Sequence, residues 1–242
     1  KARTALQLLG ETPEHQPRPV LTDSGNEIER LQALVGGRFE VDALIGVGGM
    51  GRVFRALDRT LDRVVAIKVV SDELTGHAVW RGRLTIEARI IARLQHPNIV
   101  QVYEVMEVAG QPLLILEYIE GADLRRFMRQ QRMEPSTLLP LMIKICDAVA
   151  YAHARGVIHQ DIKPANVMLT AGGQPKVMDF GIAGFLGGEG IDSQGAAGSP
   201  AFMAPEQFHG VDGDIRTDIY ALGVTLYNCV SGQLPFTGRT RE

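Results

Sequence analysis

The sequence predicts an α+β protein in two lobes, with strands first and helices second. Three observations carry this. Short segments of alternating or continuous apolar residues, separated by glycine, proline and polar turns, fill residues 38–119. From Asp123 onward the apolar period lengthens to that of helices. A chain of 242 residues also exceeds the commonest domain size of about 100–150 residues. Residues 1–36 read as an N-terminal linker, 37–119 as the strand-rich lobe and 120–242 as the helical lobe. The net charge of −3 and the lack of a Lys/Arg stripe argue against nucleic acid as a partner. No apolar run approaches the roughly 18–20 residues of a membrane span. Lys1 to Gly10 has neither the apolar length nor the cleavage pattern of a signal peptide.

The elements follow in order. Gly10 to Asn26 is rich in proline and polar residues and has no sustained period, which suits a linker, and Glu27 to Val35 has the pattern of a short helix. Phe39, Val41 and Ala43 alternate with Glu40 and Asp42 as a strand, and Gly46 to Gly51 interrupts it. Val53–Ala56, Val64–Val70, Val100–Val108 and Leu113–Ile119 read as further strands, the last two joined by a turn over Ala109–Pro112. Trp80–Leu94 reads as a helix, as does Leu138–Ala154, with Ser136 and Thr137 as N-cap candidates and Gly156 at its end. Ile182 to Ala201 is a loop of about twenty residues, a length that compact domains seldom carry without a use. Asp218–Val230 is apolar nearly all round and reads as a buried central helix. Cys146 and Cys229 lie within helical apolar patterns and read as small buried hydrophobes. His96 and His153 show no metal-ligand spacing and read as turn and helix-end residues.

Gly46-Val47-Gly48-Gly49-Met50-Gly51-Arg52-Val53 places glycines where backbone N–H groups can approach phosphate oxygens with no Cβ between. A strand follows it, so the loop joins a hairpin; a flap over phosphates and a plain glycine-rich turn both fit. Lys68 is a charged amine inside the apolar strand Val65-Ala66-Ile67-Lys68-Val69-Val70, a costly place without a partner. Glu87 shares the helical stripe of Trp80, Leu84, Ile91 and Leu94 and faces the same difficulty. An ion pair between Lys68 and Glu87 relieves both, either as a structural bridge or as a device that holds Lys68 toward phosphates.

Taken in order, the glycine loop, Val65-Ala66-Ile67-Lys68 and a helix glutamate resemble the eukaryotic-like (Hanks-type) Ser/Thr protein kinases, and Leu44 to Gly51 resembles their bacterial members. His159-Gln160-Asp161-Ile162-Lys163-Pro164-Ala165-Asn166 is similar to that family's catalytic loop. The resemblance implies that Asp161 accepts the substrate hydroxyl's proton, that Lys163 stabilises the transferring phosphoryl group and that Asn166 binds Mg2+. Asp179 of Asp179-Phe180-Gly181 would chelate the Mg2+ that bridges the phosphates, with Mn2+ as an alternative ion. Met203-Ala204-Pro205-Glu206 resembles the element that closes the family's activation loop, and Asp218 the residue that holds the catalytic-loop backbone. By the same resemblance Ile45, Gly46, Gly48, Gly49, Gly51, Val53, Ala66, Lys68 and Met168 line the ATP site, with Leu116 as gatekeeper. The backbone of Glu117 and Ile119 would meet adenine and Asp123 the ribose. The implied fold is the two-lobed kinase fold: an antiparallel five-stranded sheet plus one helix, then a larger, mainly helical lobe that is incomplete at its C-terminal end. The implied partners are ATP and protein substrates, and the implied location is cytoplasmic, free or as part of a longer membrane-anchored protein.

Three departures stand out. Gln160 replaces the arginine that in this family pairs with an activation-loop phosphate, and Ile182 to Met203 contains only Ser193 and Ser199 as hydroxyl residues, with Ser199 in a structural position. Activity is therefore expected not to depend on activation-loop phosphorylation. The resemblance runs from about Arg38 to Arg239 and lacks the later helices and the arginine that pairs with Glu206, so the isolated piece is expected to be unstable or poorly active. A pseudokinase scaffold and a small-molecule phosphotransferase are the rival readings; intact Lys68, Glu87, Asp161, Asn166 and Asp179 weigh against the first and Asp179-Phe180-Gly181 against the second.

Overall fold

The computed structural model describes residues 24–48, 51–71, 88, 90–130, 133–180, 200–208 and 213–236. The chain divides into two units, Lys1–Ala92 with Gln101–Tyr118, and Arg93–Val100 with Ile119–Glu242.

The first unit contains helix α1 (Ser24–Val35) and strands β1 (Phe39–Gly48), β2 (Gly51–Asp58), β3 (Arg63–Val70), β4 (Val102–Val108) and β5 (Gln111–Glu117). The strands form one antiparallel sheet in the order β1-β2-β3-β5-β4. β3 is mostly β-branched, as a strand buried between two others should be. β4 and β5 are joined through Ala109 and Gly110, whose φ values of 52° and 79° match the twist of a two-residue hairpin turn. Pairing of Phe54 with Ile67 and of Ile67 with Ile115 sets these residues on one face. Phe39, Ala56, Val65 and Leu113 join them in the core, together with Leu31 and Val35 of α1. The opposite face carries Val53 and Lys68, paired with each other, and Ala66, paired with Leu116.

The segment expected to be a linker through residue 36 is therefore structured over its last third. Ile28, Leu31 and Val35 recur at helical spacing and cover the sheet. Gln32 adds a clamp: its Nε2 donates to the Gly36 and Phe39 carbonyls and its Oε1 accepts from the Val41 N–H. The helix expected over Glu27 to Val35 is present and begins earlier, at Ser24.

The second unit holds a three-stranded antiparallel sheet, β6 (Gly121–Asp123), β7 (Val167–Thr170) and β8 (Pro175–Val177), in the order β6-β7-β8. Its helices include α2 (Leu124–Gln130), α3 (Pro135–His153), α4 (Pro205–Phe208) and α5 (Ile215–Ser231). α3 begins before the expected Ser136 and Thr137, with Glu134 as N-cap, because Pro135 suits the first helical position. Of the helix expected over Trp80–Leu94, Ala88, Ile90 and Ile91 are described and helical, and the rest up to Glu87 lies outside the described residues. Asp214 caps α5, its side chain accepting from the Arg216 N–H, and the helix differs from expectation in being only half buried. Ala221, Val224 and Cys229 are buried, whereas Ile219, Tyr227 and Val230 are exposed. Cys229 is buried as expected and its thiol is pushed up to about 11 by desolvation. Cys146 is exposed, contrary to expectation, because it falls on the outer side of α3, between buried Ile145 and Ala148. Among the described residues no helix is long and apolar enough to cross a membrane.

Two outcomes follow from this packing. Leu31, at 2% exposure, is part of the sheet's core, so Leu31→Ala should lower unfolding stability by about 2–4 kcal/mol in urea titration, and no change would detach α1 from the folded unit. Maleimide at pH 7 should label Cys146 well before Cys229, as read by peptide mass spectrometry.

Candidate active site

The segment after α3 carries the residues expected to do chemistry. Val149 of α3, Ala221 of α5 and Ile162 of the loop form a small buried cluster that seats the loop between the two helices. Asp218 on α5 is fully buried. Its Oδ2 accepts from the His159 N–H at 2.8 Å, its Oδ1 accepts from the Gln160 N–H at 2.8 Å, and His153 Nε2 lies 2.7 Å from Oδ2. A buried carboxylate with three such partners is stabilised, and it fixes two successive backbone amides of the loop.

Asp161, Lys163 and Asn166 are brought together. Lys163 Nζ lies 2.7 Å from Asp161 Oδ2, and Asn166 Nδ2 donates to the same oxygen at 2.9 Å and to the Asp161 carbonyl at 2.8 Å. Asn166 stands in a short 3-10 turn, Pro164–Asn166, whose first position again suits proline. Its carbonyl accepts from the Met178 N–H at 3.0 Å, which sets Asp179 in the next position along. His159, fully buried, uses Nδ1 to accept from the Asp161 N–H and places Nε2 2.9 Å from the Met178 carbonyl, so its proton sits on Nε2. Phe180 packs against the His159 ring at 4.6 Å between centroids. Gln160 and Asp179 have φ values of 65° and 62°, a conformation that non-glycine residues seldom adopt and that tends to mark functional loops.

The metal reading can be tested on donor chemistry. Both bonds from the Asn166 amide use Nδ2, so Oδ1 is the atom it would offer to a cation, and Asp179 would offer a carboxylate. Hard oxygen donors suit Mg2+. Among the described residues no group of three or more His, Cys, Asp or Glu is arranged to hold a metal. Two oxygen donors alone would leave most of a Mg2+ shell to other ligands.

Within the first unit, Lys68 is only 4% exposed and shares its sheet face with Val53 and Ala66. The glycines differ in what they need. A Cβ on Gly51, at φ 130°, would meet the Val69 carbonyl oxygen at 1.9 Å, so packing demands glycine there. A Cβ on Gly48 would meet nothing within 4 Å and one on Gly46 only the Val53 side chain at ordinary contact. Among the described residues no close contact requires glycine at 46 or 48. Ile45 is exposed, and the Glu117 N–H is engaged by the Gln101 carbonyl, so any bond from Glu117 to adenine falls to its carbonyl. In the second unit, β6–β7 pairing sets Asp123 opposite Met168. Asp123 also accepts from the Arg126 N–H at the start of α2, a structural duty beside the expected one. Ile119 is half-buried in the segment between β5 and β6. Gly49, Glu87, Gly181, Ile182, Ser193 and Ser199 lie outside the described residues.

Two residues escaped the sequence reading. Gln207 in α4 bonds the Gln160 carbonyl, and Thr217 donates to Glu206 at 2.8 Å, the residue whose family arginine partner this chain lacks. Gln207 directly follows the Ala204-Pro205-Glu206 run, which was the one available signal.

Comparison with known proteins bears on the whole chain. The family model described as protein kinase domain matches residues 39–242. A probable serine/threonine-protein kinase of Streptomyces coelicolor is 40% identical over 212 residues, covering 84% of this chain and 32% of the relative. Probable serine/threonine-protein kinase PknB of Bifidobacterium longum is 37% identical over 219 residues, covering 85% of this chain and 32% of the relative. The chain thus spans about a third of the length of these curated relatives. The crystal structure of the Mycobacterium tuberculosis PknI kinase domain superposes with a TM-score of 0.68 at 31% identity, covering 83% of this chain and 77% of that one.

Asp218→Asn keeps the shape but sets an amide N–H against a backbone N–H. It should cost about 1–3 kcal/mol in urea unfolding, and an unchanged midpoint would contradict the clamp.

Proposed function

The chain belongs to the protein kinase family, and from that premise we propose that it transfers the γ-phosphoryl group of ATP to Ser and Thr hydroxyls of protein substrates. The observation that carries this reading is the hydrogen-bonded set of Asp161, Lys163 and Asn166. The bonds from Lys163 and Asn166 both fall on Oδ2 of Asp161, which leaves Oδ1 to take the acceptor hydroxyl's proton and align its oxygen for in-line attack. Lys163, tied to that carboxylate, offsets negative charge on the phosphoryl group as it moves.

Asn166 Oδ1 and Asp179 would hold Mg2+, or Mn2+ in its place, and the ion supplies charge neutralisation on the phosphates. Lys68, steadied by Glu87, would bind phosphate oxygens from the sheet face that it shares with Val53 and Ala66. Gly46 and Gly48, along with Gly49, supply backbone N–H groups to the phosphates; the open space beside Gly48 supports close approach by a ligand. Gly51 shapes the hairpin. Ile45, Val53, Ala66 and Met168 would bury adenine, with the Glu117 carbonyl and the Ile119 backbone on its edge and Asp123 on the ribose. The donor nucleotide points to a cytoplasmic setting.

Activity would not wait on activation-loop phosphorylation. Gln160 is neutral, and its backbone is already held by Asp218 without help from a phosphate.

In the full-length natural protein, Asp161→Asn should leave the Kd for Mg-ATP within about threefold while lowering transfer by about a thousandfold or more; equal transfer would remove Asp161 from the chemistry. Ser193→Ala should turn over within about twofold of the unmodified protein, whereas a loss of about a hundredfold would establish dependence on that serine.

A further inference from the structure

Both polar groups of the peptide that joins Gln160 to Asp161 are held, and so is the amide before it. The Gln160 N–H donates to Asp218 Oδ1. The Asp161 N–H donates to His159 Nδ1 at 3.2 Å. The remaining group, the Gln160 carbonyl oxygen, accepts from Gln207 Nε2 at 3.0 Å. These residues are 47 apart in sequence, so the contact ties the segment after Ala204-Pro205-Glu206 to the loop that carries Asp161.

The Gln207 amide has only one workable orientation. Its Oε1 accepts from the Ala204 N–H at 2.9 Å, while its own backbone N–H donates to the Ala204 carbonyl at 3.0 Å. Exchanging amide oxygen and nitrogen would break both side-chain bonds at once. Ala204 is fully buried, so the side chain is anchored at its base and reaches outward with a donor.

That donor meets a backbone under strain. Gln160 sits at φ 65° without being glycine. Relief of a positive φ turns the bond between the Gln160 N and Cα; with the Gln160 N–H held by Asp218, that turn would swing the Gln160 carbonyl and carry Asp161 with it. Asp218 restrains the amide on the near side of Gln160; it does not restrain the carbonyl.

We propose that Gln207 is a positioning residue: it fixes the Gln160–Asp161 peptide and thereby the direction of the Asp161 carboxylate. The proposal rests on the kinase reading for its catalytic consequence, but not for the clamp itself.

Gln207→Glu separates the two duties of this side chain. The carboxylate still accepts from the Ala204 N–H and loses the donor to the Gln160 carbonyl. Gln207→Leu removes both bonds. In the full-length natural protein, Gln207→Glu should lower kcat for transfer to a protein substrate about tenfold, with KM for ATP and the melting temperature close to the unmodified values. Backbone amides in a peptide covering residues 157–162 should exchange hydrogen about tenfold faster in the same variant.

Wild-type kcat and wild-type exchange in Gln207→Glu, with losses confined to Gln207→Leu, would overturn the proposal and leave Gln207 as a local brace for Ala204. Should the unmodified protein transfer no phosphate, the kinase reading fails separately, and the exchange measurement still decides the clamp: faster exchange supports it, unchanged exchange overturns it.

Discussion

The second unit is organised by one fully buried carboxylate. Asp218 projects from α5 and gathers two successive loop amides and the terminal histidine of α3. An unpaired charge in that position would be severely destabilising, so the three partners are a condition of folding as well as of function. Because the loop amides satisfy the charge, the loop cannot drift from the helix without stranding it. That constraint lets Gln160 persist at a positive φ, and it sets His159 to span the Asp161 N–H and the Met178 carbonyl. Asp161, Lys163 and Asn166 then close on one another around a backbone that is already fixed.

The first unit meets a different demand. One face of its sheet is filled by its own core and by α1, and the other presents Val53, Ala66 and Lys68. A nearly buried ammonium has to be compensated, and the sheet provides a rigid strand on which to hold it. The glycines of the β1–β2 hairpin divide by cause. Gly51 is required by the proximity of the Val69 carbonyl, whereas among the described residues a Cβ at Gly46 would make only ordinary contact with Val53 and one at Gly48 none.

Much of this was legible in the sequence because the signals were local. Alternation along β2 and the apolar run of β3 mark the sheet, and the residues from His159 to Asn166 carry their resemblance within one short segment. What escaped was set by distant contacts or by competing local cues. The helix over Glu27 to Val35 was legible, but not that its stripe of Ile28, Leu31 and Val35 covers the sheet. Pro135 outcompeted the hydroxyl residues after it as the start of α3. Cys146 and Cys229 look alike in sequence and differ by helix face. α5 reads as apolar all round, yet Ile219, Tyr227 and Val230 are exposed, since hydrophobicity does not say which sides find a neighbour. Gln207 has no pattern of its own, and its role exists only through the carbonyl that it reaches.

The most direct measurement is phosphate transfer by the full-length natural protein. It would be incubated with Mg-ATP and a generic basic protein, and the products read by mass spectrometry. The expected result is phosphoserine or phosphothreonine that accumulates with time and requires the divalent cation. Tight binding of Mg-ATP with no phosphorylated product would contradict the account and make this chain a nucleotide-binding scaffold.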